Sequence, residues 1–321
     1  MSVTRRPYRH PEDYEAVGEF LVRSYAKTHA GPHRSWLQPR WEYMCYHPLL
    51  WERDLVSKLD RCGLWEDDGA LVAAAHFEMR MGVVYVQLLP EHGLLWDEIL
   101  EYAETHLAGS FDVGTAVLVY IDDDDREAHA IAVRRGFERM DAIHAESISL
   151  LTAAELPSEL PAPEGFEILG LDEDDDLRKV HRVMHRGFDH DGEPPEDELD
   201  ARRRKLSAPN LRKDLTVVAR APDGDFVSFC GMWLDAVNRV AYVEPVATDP
   251  DYRRRGLGMA VVLEGCRRCF VEGATVAHVG STLPFYLSIG FRPTHRQTLW
   301  RKVLAGAASA TGPSESAGGI T

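Results

Sequence analysis

Three absences narrow the reading before any motif is considered. No apolar run approaches the ~18–20 residues of a bilayer-spanning helix, and the opening MSVTRRPYRHPEDYEAV lacks the apolar core of a secretory leader. Both predict a cytoplasmic protein with no membrane partner. Positive charge is scarce: 36 Lys and Arg stand against 52 Asp and Glu, a formal net charge of −16. That balance repels phosphodiester backbones and anionic lipid, so no nucleic-acid partner is expected. A cationic acceptor such as an amine is compatible with it. Cysteine is sparse and odd in number, five in 321 residues, which argues against a disulfide framework.

Metal-binding spacing is missing too. Cys266 and Cys269 make a lone C-x-x-C inside an apolar helical stretch, with no second pair to close a zinc tetrahedron, so both are expected to pack. His181 and His185 fall at i, i+4 with no carboxylate completing a motif. The acidic runs Asp122–Asp125 and Asp172–Asp176 precede predicted helices and lack calcium-loop spacing, which reads as solvated capping. No metal is expected.

What the chain does hold is enough length for two domains, each with its own core. Its 45% hydrophobic and 27% charged content is that of a globular protein. A helical period (Tyr14, Val17, Phe20, Leu21, Tyr25) marks residues 11–28. Residues 31–60, rich in Trp and Tyr including Tyr43, read as further helices whose aromatics line either a core or a pocket. Strands follow at 62–65 and 70–79 around the turn Asp67-Asp68-Gly69, and at 82–89; then helix 94–107, strand 113–121, helix 125–135 and strand 137–151. The second half repeats the order: strand 166–169, helices 175–188 and 196–206, strands 215–220 and 226–234, a strand and helix over 240–270, then strand 275–279, helix 283–289 and strand 291–302. Between them, LTAAELPSELPAPEG (151–165) has three prolines and no period, which reads as a linker. The expected division is therefore 1–150, a linker over 151–165, a second domain over 166–304 and a disordered Ala/Ser/Gly tail over 305–321.

The most informative stretch is AYVEPVATDPDYRRRGLGMAVVLEGCRRCF, residues 241–270. β-Branched and aromatic residues open it as a strand, and Pro245 interrupts the ladder, predicting a bulge or a splayed end. Asp249-Pro250-Asp251 turns the chain into Arg253-Arg254-Arg255-Gly256-Leu257-Gly258, and an apolar helix begins. The two glycines permit close approach of the backbone, and the helix N-terminus and three arginines favour an anion. This is the chemistry of a pyrophosphate cradle, but the Lys-Ser/Thr of a P-loop is lacking, as is the third glycine of G-x-G-x-x-G.

Arg253-x-x-Gly256-x-Gly258, together with the downstream Tyr286-Leu-Ser-Ile-Gly290-Phe291, resembles the acetyl-CoA signature of GNAT-type N-acetyltransferases. The short helix and Gly136-Phe137 of the first half match the second-half Gly290-Phe291, so the resemblance covers nearly the whole chain as two tandem copies. It implies a mixed α/β fold, with each domain a splayed mixed β-sheet flanked by helices. The first copy carries Leu89-Pro-Glu91-His-Gly93 where the cradle belongs, with no arginine and an added carboxylate, so it is expected to be degenerate.

For the second copy the resemblance implies an acetyl-CoA-dependent N-acetyltransferase acting on a small-molecule or peptide amine. The pyrophosphate would rest on Arg253, Arg254, Arg255, Gly256, Leu257, Gly258 and Met259, and the pantetheine arm along Val246, Ala247 and Thr248. Glu244, two residues before Val246 and by alternation on its face, is either the base or an acid gripping a cationic acceptor. Tyr286 is either the acid that protonates the leaving sulfur or a core tyrosine. The family's Asn and Ala upstream of that tyrosine are replaced by Val279 and Thr282, leaving Ser281 or Thr282 to substitute. A non-catalytic acyl-CoA-binding module, or a tandem scaffold, is the competing reading.

Overall fold

The computed structural model of the protein describes residues 3–29, 33–140, 145–160 and 163–304. The amino-terminal half runs β1 (Val3–Pro7), α1 (Tyr14–Thr28), α2 (Gln38–Cys45), α3 (Pro48–Glu52), β2 (Gly63–Asp67), β3 (Ala70–His76), β4 (Val83–Leu88), α4 (Trp96–Tyr102), β5 (Gly109–Phe111), β6 (Gly114–Asp122), α5 (Arg126–Arg134), β7 (Glu138–Arg139) and β8 (Ala145–Thr152). The carboxy-terminal half runs β9 (Glu167–Gly170), α6 (Leu177–Gly187), α7 (Leu199–Leu206), β10 (Val217–Arg220), β11 (Phe226–Asp235), β12 (Val240–Thr248), α8 (Leu257–Val271), β13 (Val276–Val279), α9 (Pro284–Ser288) and β14 (Arg292–Val303).

All strands join one mixed sheet in the order β1-β2-β3-β4-β6-β14-β8-β13-β12-β11-β10-β9, with β5 on β6 and β7 on β14. Two pairings are parallel and both are cut short. β4 meets β6 only at Val83↔Leu118 and Val84↔Val119, and β12 meets β13 only from Val240↔Val276 to Tyr242↔His278. Beyond those pairs the strands part, and each half contains one wedge. The splayed end expected at Pro245 is therefore present, and the parting from β13 already begins at Val243.

The last strands are exchanged. β8, from the first half of the sequence, pairs with β13 from Thr152↔Val276 to Ser149↔Val279. β14, the last strand of the chain, pairs with β6 from Gln297↔Asp122 to Val303↔Ala116. The cores follow the exchange: Leu299 and Trp300 are buried among the amino-terminal apolar residues, and Leu151 among the carboxy-terminal ones. A cut near residue 150 separates the halves in sequence, but each half of the sheet is closed by the other's final strand.

Other departures are local. β1, too short and too basic to register as a strand, pairs with the edge of β2. The strand expected over 137–151 is two pieces, and residues 141–144 lie outside the described ones. The helix expected over 94–107 relaxes into a π-turn at Ala103–Leu107. After Thr152 and Glu155 close a capping box, Leu156 and Leu160 of the linker pack against the carboxy-terminal core. The tail over 305–321 lies outside the described residues. Among the described residues no helix is long and apolar enough to cross a membrane.

Candidate active site

The site forms where β12 leaves β13. On β11 the register slips between Cys230 and Met232, so that Glu244 and Pro245 bulge opposite Gly231. Only glycine fits there: a Cβ on residue 231 would lie 2.5 Å from the Glu244 carbonyl oxygen and 2.8 Å from Pro245 Cδ. Trp233 Nε1 donates to that same carbonyl at 2.7 Å. The bulge has a consequence that strand alternation missed. Val246 turns into the core beneath α8, whereas the Glu244 carboxyl turns to the opposite face, toward Tyr43, Lys205 and Arg40. One extra residue reverses the parity, so Glu244 and Val246 do not share a face.

Glu244 titrates unusually high for a carboxyl, pushed up to about 7. Burial is the main cause, because removal from water disfavours the charged form, and the nearby Glu78 adds to it. Lys205, a hydrogen bond from the Tyr43 hydroxyl and Arg40 act the other way. Lys205 itself is buried, and burial pushes its ammonium well below its ordinary value. Its Nζ donates to the Tyr43 carbonyl at 2.6 Å and lies 3.0 Å from the centre of the Tyr43 ring. Arg40 is held by Glu78 and Glu146, both at 2.8 Å, with its guanidinium 3.9 Å from the centre of the Trp36 ring, and the Tyr85 hydroxyl donates to Glu146 at 2.7 Å. These residues come from four separate segments, with Arg40 and Tyr43 together on α2, Glu78 after β3, Glu146 on β8 and Lys205 on α7, so no spacing announced the group. Of these segments only the one carrying Arg40 and Tyr43 stood in a stretch whose aromatic content pointed to a pocket wall.

Tyr286, on α9, lies across the wedge between the rings of Phe285 and Phe291, at 4.9 and 5.9 Å. Burial pushes its hydroxyl well above the usual phenol range, and the Glu244 carboxyl is the next influence on it. The two sequence-predicted residues are thus within electrostatic reach of each other. Below Tyr286, the Ser281 hydroxyl accepts from the Leu283 N–H at 3.1 Å and the Ser281 carbonyl accepts from Ser149 Oγ at 2.7 Å. Ser281 is committed to the turn.

The loop between β12 and α8 is anchored from one side and open on the other. Asp249 is buried, and it is gripped by Arg186 through bonds of 2.7 and 3.2 Å. Burial alone would raise Asp249, but Arg186, the Asp251 N–H and Arg182 outweigh it and hold the carboxyl below its usual range. Arg253 donates to the carbonyls of Thr248 and Gly187 at 3.1 and 3.0 Å and pairs with Asp189 at 2.8 Å, which places its guanidinium on the α6 side of the loop. Arg255 donates to the Asp251 carbonyl at 3.3 Å, and Arg254 is exposed at φ +66°. Gly256, at φ +82°, takes the N-cap position of α8 with no side-chain cap, so the N–H groups of Leu257, Gly258 and Met259 have no partner within the helix. A Cβ at Gly258 would come within 3.3 Å of Thr248 Oγ1 and 3.4 Å of the Phe285 ring, narrowing the groove between this loop and α9. The row of N–H groups, rather than the Arg253 side chain, is what the loop offers an anion.

The corresponding wedge of the amino-terminal half is filled by its own chain. His33 is buried, 3.6 Å from Asp122 at the end of β6, 3.9 Å from Asp125 at the N-cap of α5, and edge-on to Trp96 at the start of α4. The Arg34 N–H donates to Asp122 at 2.8 Å, and the Leu88 N–H of β4 donates to Ser35 Oγ at 3.3 Å. Asp122, expected as a solvated cap, is fully buried because it receives this segment; Asp125 does cap α5, through the Ala128 N–H. Cys266 and Cys269 are both buried in the carboxy-terminal core, as expected for packing residues. His181 is also buried, with Nε2 3.1 Å from the Pro195 carbonyl oxygen.

With wedge, loop and paired groups in place, comparison with known proteins is informative. Residues 176–291 match the sequence model of the Acetyltransferase (GNAT) family. The match contains the whole of the loop and Tyr286. Over 61 residues, 18% of the chain, the sequence is 38% identical to a glucosamine 6-phosphate N-acetyltransferase of Trypanosoma brucei brucei; the match spans 42% of that protein's length. Among solved structures, a tandem GNAT protein from the clavulanic acid biosynthesis pathway aligns with TM-score 0.62 at 15% identity, over 96% of this chain and all of that one. A GCN5-related N-acetyltransferase from Sphaerobacter thermophilus aligns with TM-score 0.55 at 21% identity, over 94% and 95%. At these identities the structures establish the mixed α/β GNAT fold over most of the chain. The GNAT family is thus supported from sequence and from fold.

Proposed function

We propose that the protein is an acetyl-CoA-dependent N-acetyltransferase that acetylates a primary amine of a small molecule by direct transfer, using its carboxy-terminal half. The observation that carries this reading is the uncapped start of α8 beside the wedge where β12 leaves β13, with Glu244 and Tyr286 within electrostatic reach of each other. The main-chain N–H groups of Arg254 to Met259 hold the pyrophosphate, and the free edge of Val246, Ala247 and Thr248 receives the pantetheine arm. Glu244 takes a proton from the amine as its nitrogen bonds to the thioester carbon, with a main-chain N–H near Val246 donating to the carbonyl oxygen. Tyr286 gives its proton to the sulfur as the carbon–sulfur bond breaks. The phenol is protonated at neutral pH, which the role requires.

The amino-terminal half is read as a degenerate copy, because His33 and Arg34 occupy its wedge and Glu91 stands where an anion would dock. The linker over 151–165 then separates a cofactor-free domain from a catalytic one. A small amine is favoured over a peptide by the enclosed setting of Glu244 and by the relative whose name carries an amino sugar phosphate. Calorimetric titration with acetyl-CoA, followed by thiol release with a panel of amines, tests the reading. One site per chain and release of CoA with some amine are expected. Two sites would overturn the degenerate copy. No binding would overturn the enzyme and leave a scaffold.

A further inference from the structure

Between the halves, on the face of β12 that carries Glu244, lies a cavity of about 40 Å³, space for roughly three water molecules or one compact anionic group. Its lining is unlike the rest of the chain. In a protein with a net charge of −16, it draws His29, His278, His295, Arg34 and Arg40 together with no Asp or Glu in the lining itself. The nearest carboxylates stand behind the two arginines: Glu78 and Glu146 on Arg40, and Asp122 3.8 Å from Arg34. His278 is only 3% exposed and its Nε2 has no hydrogen-bond partner. A buried polar atom left so is costly unless a ligand or water completes it.

We propose that this cavity binds the anionic end of the acceptor, so that the substrate is a small molecule carrying a primary amine and, a few bonds away, a phosphate or carboxylate. The inference rests on the acetyltransferase reading for the amine end only. Tyr242, opposite His278 on β12, borders the cavity, and Glu244 stands two residues further on, about 7 Å along a strand. Arg40 links the two places, lining the cavity while acting on Glu244. An anion at His278 therefore leaves an amine within reach of the carboxyl.

The protonation logic is consistent. His278 and His295 are both pushed down to about 3, chiefly by burial; His29 adds to the effect on His278, and Arg34, His278 and His29 add to that on His295. Tyr25 and His29 face them from α1, Arg34 and Arg40 from the segment after it, and Tyr242 from β12. An anion seated among these groups favours their charged forms, so binding is accompanied by proton uptake and tightens as pH falls.

The test titrates the full-length protein with inorganic phosphate and, separately, with acetate at pH 6 and pH 8, with and without saturating acetyl-CoA. One saturable site per chain is expected for at least one anion, tighter at pH 6, unaffected by acetyl-CoA, and at least tenfold weaker in His278→Phe and in Arg34→Ala. The Arg34 side chain, 19% exposed, is less buried than His278, and an unchanged circular dichroism spectrum of each variant guards against misfolding. Phosphate alone binding assigns a phosphorylated amine, and acetate binding an amino acid-like one. Binding of neither anion, undiminished binding in Arg34→Ala, or displacement by acetyl-CoA, which would put the anion in the α8 loop, overturns the proposal. If acetyl-CoA fails to bind while phosphate binds here, the acetyltransferase reading falls and the anion site stands.

Discussion

At the scale of single residues the proposed chemistry turns on one carboxyl and one phenol. A base is active when deprotonated, so with Glu244 near 7 the rate of acetyl transfer should rise with pH through neutrality and level off above it. A pH profile of kcat/KM checks this, and Glu244→Gln should remove that limb and lower kcat by about 10²–10⁴. Lys205 is the stronger of the two cations acting on Glu244. Lys205→Met should therefore move the limb to higher pH, because a lost positive charge favours the protonated carboxyl. Tyr286→Phe should reduce kcat by about tenfold or more while leaving the Kd for acetyl-CoA unchanged. Equal turnover would return Tyr286 to the core packing that its contacts with Phe285 and Phe291 already provide.

At the scale of elements, two backbone devices place those residues, and each depends on a glycine. Gly231 lets the Glu244–Pro245 bulge fold against β11. Gly231→Ala would drive a methyl into backbone atoms 2.5 Å away, and is expected to destabilise the protein by about 1–3 kcal/mol in urea unfolding. Gly256 starts α8 from a left-handed conformation that Asp tolerates better than most residues. Gly256→Asp should keep the fold, seen as an unchanged circular dichroism spectrum, and abolish acetyl-CoA binding by setting a carboxylate in front of the N–H row. Unchanged affinity would remove the pyrophosphate from this loop.

At the scale of the molecule, the exchange of β8 and β14 makes the halves mutually dependent. Separating them would strip Leu299 and Trp300 from one core and Leu151 from the other, and expose the edges of β6 and β13. A single cooperative urea transition, coincident by fluorescence and circular dichroism, is expected for the full chain. Two resolved transitions would show that the halves fold separately. The same arrangement explains why Glu244, a residue of the second half, is surrounded by Tyr43, Arg40 and Glu78 from the first.

The sequence alone determined what local rules govern. Turn chemistry and period placed most strands and helices, and Arg253-x-x-Gly256-x-Gly258 after a strand located the turn into α8 proposed to hold the pyrophosphate, because two glycines and a helix start act over a few residues. Pro245 announced the bulge for the same reason. Tertiary structure decided whatever depends on the meeting of distant segments. The face of Glu244 follows from the parity of a bulge set against Gly231, and the direction of Arg253 from Gly187 and Asp189 at the end of α6. The filling of the amino-terminal wedge follows from His33 meeting Asp122, and the gathering of three histidines from a strand exchange between halves. These pairings join residues tens to hundreds of positions apart, and the geometry of the candidate site resides in them, beyond what periodicity or spacing along the chain encodes.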